Sequence, residues 1–79
     1  MKVLYIDNYR FRREKNANIL YQQPNIEIEI RENISKEEFE LSSAQLVLLH
    51  YNNPECRELS LGNWTYTGTL FIFSGGLEG

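Results

Sequence analysis

Four apolar runs divide this chain, and three of them end in a polar side chain. Residues 2–6 are β-branched and aromatic and stop at Asp7, the pattern of a short strand. Residues 26–30 alternate as Ile-Glu-Ile-Glu-Ile. Period two puts the isoleucines on one face and the glutamates on the other, which predicts an edge strand whose charges discourage pairing with another molecule. Residues 46–49 are apolar without alternation and close at His50, as in a central strand covered on both faces. Residues 69–73 form the last run, followed by Ser74-Gly75-Gly76.

Helices are predicted between these runs. Residues 10–22 place Ala17, Leu20 and Tyr21 on one face, with Phe11 near the start and the charges opposite; Pro24-Asn25 stops the helix. Ser35 followed by Glu38 is a capping box, and Ile34 and Phe39 have the spacing of a hydrophobic staple, which predicts a helix from Lys36 to about Ser43. Three glutamates there favour the positive end of the helix. A third, short helix is expected from Glu55 to about Leu61, with Pro54 ahead of it and Gly62 as its stop.

Strands alternating with helices predict an α/β domain with a parallel sheet and right-handed crossovers. Ligands of such sheets bind outside the carboxyl ends of the strands. Asp7, Asn8, His50 and Ser74 lie at those ends and form the candidate site.

Composition narrows the reading. A chain of 79 residues is one small domain, with 42% hydrophobic residues as in a globular chain. The net charge of −3 argues against a nucleic-acid partner. Arg10, Arg12, Arg13 and Lys15 cluster in one stretch. A solvated helix face is the plain reading, and a patch that contacts phosphate or an acid is the sharper one. Cys56 is the single cysteine, so no internal disulfide is expected and a reducing, cytoplasmic setting is indicated. It has no partner at metal-ligand spacing, and no run approaches the length of a membrane span.

Read together, the strands resemble those of response-regulator receiver domains. Lys2-Val3-Leu4-Tyr5-Ile6-Asp7-Asn8 is similar to the first strand of that family, which ends in a magnesium-binding acidic pair. Leu46-Val47-Leu48-Leu49-His50 with Asn53-Pro54 is similar to the third strand, which ends in the phosphoacceptor aspartate, with a proline in the loop beyond it. Leu70-Phe71-Ile72-Phe73-Ser74 is similar to the fourth strand with its terminal serine or threonine. The resemblance implies a single truncated receiver-like domain over residues 1–79. Its sheet would have four parallel strands in the order 2-1-3-4, in three layers or in two that are partly covered.

The departures from the family carry the functional expectation. His50 stands where the phosphoacceptor is expected, and Asn8 replaces one acid of the pair. Residues 1–79 hold no counterpart of the strand that carries the family's lysine. Magnesium prefers several oxygen ligands, so Asp7 beside a histidine is a poor site; no metal or cofactor is expected. His50 hydrogen-bonded to Asp7 would be held in its charged form. A hydrolase built on Ser74, His50 and Asp7 is the lowest-ranked possibility. Ser74-Gly75-Gly76 reads as a turn rather than as an anion-binding loop.

Trp64 and Tyr66 lie in a polar-aromatic connection, and Leu70, Phe71 and Phe73 in the last strand. These residue types are enriched at interfaces, and a sheet that ends in an apolar strand leaves an edge to protect. The expectation is a pseudo-receiver without catalytic activity, a regulatory protein-interaction module. It would bind a protein partner or a second copy through the strand-four side. The alternative is a domain that senses a small ligand or nucleotide through the pocket of Asp7, Asn8, His50 and Ser74.

Overall fold

A computed structural model describes residues 1–54 and 56–74. In chain order the elements are β1 (Lys2–Ile6), α1 (Arg10–Tyr21), β2 (Glu27–Arg31), α2 (Lys36–Leu41), β3 (Leu46–His50), α3 (Cys56–Ser60) and β4 (Thr69–Phe73). All strand pairs are parallel and the sheet order is β2-β1-β3-β4. The expected α/β class, parallel sheet and strand order are therefore observed. The expected start of the third helix at Glu55 and the turn at Gly75-Gly76 fall outside the described residues.

Strand period two sorts the core into two layers. On one face Leu4, Ile6, Val47 and Leu49 pack with Ile34, Phe39, Ala44, Leu59 and Tyr66, and Trp64, Leu70 and Ile72 close the cluster. On the other, Val3, Tyr5 and Leu48 pack with Leu20, Ile28, Ile30, Leu46 and Phe73. The inner strands β1 and β3 are buried on both faces, whereas β2 and β4 are half-exposed edges.

Local signals fix the element ends. Ser35 accepts from the Glu38 backbone N–H at 3.1 Å, and Glu38 reaches back to the Ser35 N–H at 3.3 Å. The staple pair Ile34 and Phe39 is fully buried. Asn25 turns the chain into β2 with φ of 63°, a conformation asparagine tolerates better than most residues. Gly62 follows α3 with φ of 72°, where a side chain would be strained.

One expectation about α1 is corrected. Tyr21 and Phe11 are exposed, whereas Asn16 and Ala17 are buried. The helix turns a partly polar face inward because the strand beneath it presents Tyr5 and Asp7, whose polar atoms require partners.

Candidate functional site

The site forms where β1 leaves the sheet and α1 begins. Asp7 is completely buried. Its Oδ1 accepts from the Tyr9 backbone N–H at 2.9 Å, a side-chain turn that aspartate makes two residues ahead of a helix. That bond matters because Tyr9, the residue at the helix N-terminus, makes no capping bond through its own side chain.

Arg12 reaches back from the first turn of α1. Its Nε donates to Asp7 Oδ2 and its Nη2 to Oδ1, each at 2.7 Å. Tyr5 donates its hydroxyl to Oδ2 at 2.6 Å, and Asn16 Nδ2 donates to the Tyr5 hydroxyl at 2.9 Å. Each carboxylate oxygen thus accepts two hydrogen bonds. A carboxylate offers about four lone-pair positions, so Asp7 is saturated by its own chain. Arg13 Nη1 adds a bond to the Asp7 carbonyl at 2.9 Å, and the Arg12 guanidinium lies 5.1 Å over the Tyr9 ring.

Electrostatics follow from this geometry. Burial alone pushes the Asp7 carboxyl up, but the bonds from Arg12, Tyr5 and the Tyr9 N–H outweigh it and hold the group below the usual carboxylate range. Burial, with the bond to Asp7, pushes the Tyr5 phenol well above its ordinary value. The basic cluster therefore divides. Arg12 and Arg13 contact the buried Asp7, whereas Arg10 pairs with Glu14 on the exposed surface.

His50 ends β3, buried, beside β1. Its Nδ1 accepts from the Asn52 backbone N–H at 3.2 Å, and its ring meets Tyr51 and Phe73 at 5.3 Å each. Burial pushes the imidazole below its ordinary value, the Arg12 charge pushes the same way, and Asp7 opposes them with the smallest effect. Asp7 therefore does not hold His50 in its charged form, because Arg12 binds the carboxylate and adds its own positive charge.

The remaining candidates are peripheral. Asn8 is exposed and its Nδ2 donates to the Asn52 carbonyl at 3.4 Å. Ser74 is exposed beyond the end of β4, where the Phe73 ring, in register with His50, stands against the imidazole. A triad histidine donates Nδ1–H to its acid; here Nδ1 accepts a main-chain N–H and Asp7 is bound by Arg12. The Ser74-His50-Asp7 arrangement is not assembled. Two surface hollows of about 510 Å³ lie nearby, one beside Tyr51, Asn53 and Arg57, the other beside Tyr51, Phe71 and Ser74. Neither Asp7 nor His50 lines them.

The aromatic candidates split in two. Tyr66 is buried and its hydroxyl donates to the Ala44 carbonyl at 2.5 Å. Trp64 stands edge-on to Phe39 at 5.1 Å and donates Nε1–H to the Leu59 carbonyl at 2.7 Å. Tyr66 covers the core in place of offering a surface, and Trp64, partly buried, packs over the same cluster, because a flat ring with one polar tip suits a loop laid over a sheet. Phe71 is exposed, while Leu70 and Phe73 are half-buried.

Sequence reasoning missed Arg12, Tyr5 and Asn16 as members of the site. The available signal was spacing: Arg12, Asn16 and Leu20 recur every fourth residue and share a helix face. Among the described residues no group of three or more histidine, cysteine or acidic side chains is placed to hold a metal ion. No helix there is long and apolar enough to cross a membrane. Comparison with protein-family models, curated proteins and solved structures returns no significant match.

Proposed function

We propose that this chain is a pseudo-receiver: a regulatory protein-interaction module on a receiver-like frame that does not exchange phosphoryl groups. The supporting observation is the saturation of Asp7. In the receiver family an acid at this position binds magnesium; here both carboxylate oxygens are filled by Arg12, Tyr5 and the Tyr9 N–H. A cation at Asp7 would have to displace a guanidinium held by two charge-assisted bonds. His50, in the phosphoacceptor position, is buried, with Nδ1 already accepting a hydrogen bond.

An internal arginine thereby does the neutralising work of a divalent ion and fixes the start of α1 in one arrangement. What is left for function is surface, and the strand-four side offers it, with Phe71 and Tyr51 exposed beside a half-buried Phe73. Incubation with magnesium and a small phosphodonor such as acetyl phosphate, followed by intact-mass spectrometry, tests the reading. The expected result is an unchanged mass. Stable phosphorylation on His50 or Asp7 would overturn it.

A further inference from the structure

The two edges of the sheet differ in their defences. The β2 edge carries exposed Glu27 and Glu29, with Glu29 near Lys2 and Arg31, the charged protection that natural edge strands use against pairing. Among the described residues the β4 edge has none. None of the chain's eight basic and eleven acidic residues falls between residues 63 and 74. Phe71, in the middle of β4, is 54% exposed. Among the described residues β4 is the last strand of the sheet.

The hydrogen-bond pattern shows which backbone groups face outward. The Thr69 N–H donates to the Gln45 carbonyl at 3.0 Å, and the Phe73 carbonyl accepts from the Tyr51 N–H at 2.8 Å. Thr69, Phe71 and Phe73 therefore turn their main-chain groups toward β3. By strand alternation Leu70 and Ile72 turn theirs away from it.

We propose that β4 pairs with β4 of a second copy of this chain, antiparallel about a two-fold axis through Phe71. This rests on the interaction-module reading and names its partner. In this register Leu70 opposes the second copy's Ile72 and Ile72 opposes its Leu70. These are hydrogen-bonded pairs, so every outward N–H and C=O of the two residues is satisfied. Phe71 faces its symmetry mate in a closely spaced pair that exchanges no hydrogen bonds, and Thr69 lies opposite Phe73. Every side chain stays on its own face of a continuous eight-stranded sheet. Aromatic and β-branched cross-strand pairs favour such an arrangement. Charge is compatible with the same occupant. Residues 63–74 add no charge to oppose a copy of this chain, whose net charge is −3, and a partner that recognises charge finds nothing to bind there. Edge pairing of two five-residue strands should bury less than the roughly 800 Å² per partner of a standard stable interface, which places the proposed dimer in the transient class.

Light scattering up to about 1 mM protein is expected to show the mass rising from monomer to dimer. Phe71→Lys, which places two like charges at the axis on an already exposed site, is expected to remain a folded monomer throughout. Register is tested by cross-linking with oxidised glutathione, with the native Cys56 buried. Two Phe71→Cys residues would have Cα atoms about 4.5 Å apart, within disulfide range. Two Thr69→Cys residues would lie about 13 Å apart. A covalent dimer is expected from the first and not from the second. A monomer at every concentration, or equal cross-linking of both variants, overturns the pairing. If no phosphoryl group is taken up either, the interaction-module reading stands with a foreign partner; phosphoryl uptake overturns that reading whatever the mass.

Discussion

Arg12 grips Asp7 through two parallel hydrogen bonds, Nε to Oδ2 and Nη2 to Oδ1, both at 2.7 Å. The acid is fully buried and the arginine side chain is only 21% exposed. The pair joins the end of β1 to the first turn of α1, and Tyr5 and Asn16 extend it beneath the helix. Fork geometry of this kind is specific to arginine, because lysine presents a single point charge.

Arg12→Met should destabilise the fold by about 3 kcal/mol, since it leaves a buried carboxylate without its cation. Arg12→Lys should fall between wild type and Arg12→Met, because it keeps the charge and loses the second bond. Urea denaturation of the three proteins measures both. Equal stability of wild type and Arg12→Met would mean that the pair contributes nothing.

Magnesium should leave the protein unchanged. A ligand that binds only the folded state raises the melting temperature, and a cation meets a carboxylate whose acceptor positions are filled. At about 10 mM magnesium, far above what a carboxylate-rich site needs, the melting temperature of wild type should not move. A rise that disappears in Asp7→Asn would show that the cation displaces Arg12.

How far the sequence announced this molecule depends on which physical signal each part rests on. Strand period, the Ser35–Glu38 capping box and the unalternating run before His50 are local patterns, and the elements built on them are present, with β2 at Glu27–Arg31 instead of 26–30 and α2 ending at Leu41 instead of near Ser43. The candidate site was half legible. Asp7 and His50 close adjacent strands as strand-end logic requires, but what neutralises Asp7 comes from a helix residue that looked like part of a solvated charge run. Only the face it shares with Asn16 and Leu20 distinguishes Arg12 from Arg10 locally, and only the position of β1 under α1 brings that face to Asp7. Tyr66 misleads for the same reason. An aromatic ring in a loop can cover the core or face a partner, and the choice is made by Phe39, which packs 4.6 Å from the Tyr66 ring.

Gly68 is required for space, not for backbone freedom. A Cβ there would overlap the Tyr66 hydroxyl and ring and come within 2.9 Å of the Gln45 carbonyl. Gly68→Ala should cost roughly 1–3 kcal/mol by overpacking, and Tyr66→Phe roughly 1 kcal/mol through the lost bond to Ala44. Because the nearest part of the clash falls on the hydroxyl that the second change removes, although the ring contact remains, the double variant should be less destabilised than the two single effects added. Strict additivity in a thermal or urea double-mutant cycle would contradict the contact.

Acid should weaken the fold in two stages, and His50 governs the first. Its folded-state pKa lies below the ordinary 6.5, first because the ring is buried and then because Arg12 is near. The unfolded chain therefore binds this proton more readily than the folded one. Stability associated with neutral His50 is complete above about pH 6.5 and is lost as pH falls from there toward the lowered folded value. Asp7 adds a second loss further down. Its folded pKa lies below 3.8, the net result of burial outweighed by the bonds from Arg12, Tyr5 and Tyr9, so its contribution persists to about that pH and disappears as pH falls through the folded value. Urea midpoints between pH 7.5 and 5 should fall in wild type, with a slope of at most about 1.4 kcal/mol per pH unit for one proton. In His50→Gln, which keeps a polar acceptor but does not titrate, the midpoints should stay nearly flat over that window. An identical slope in both proteins would place the titrating group elsewhere.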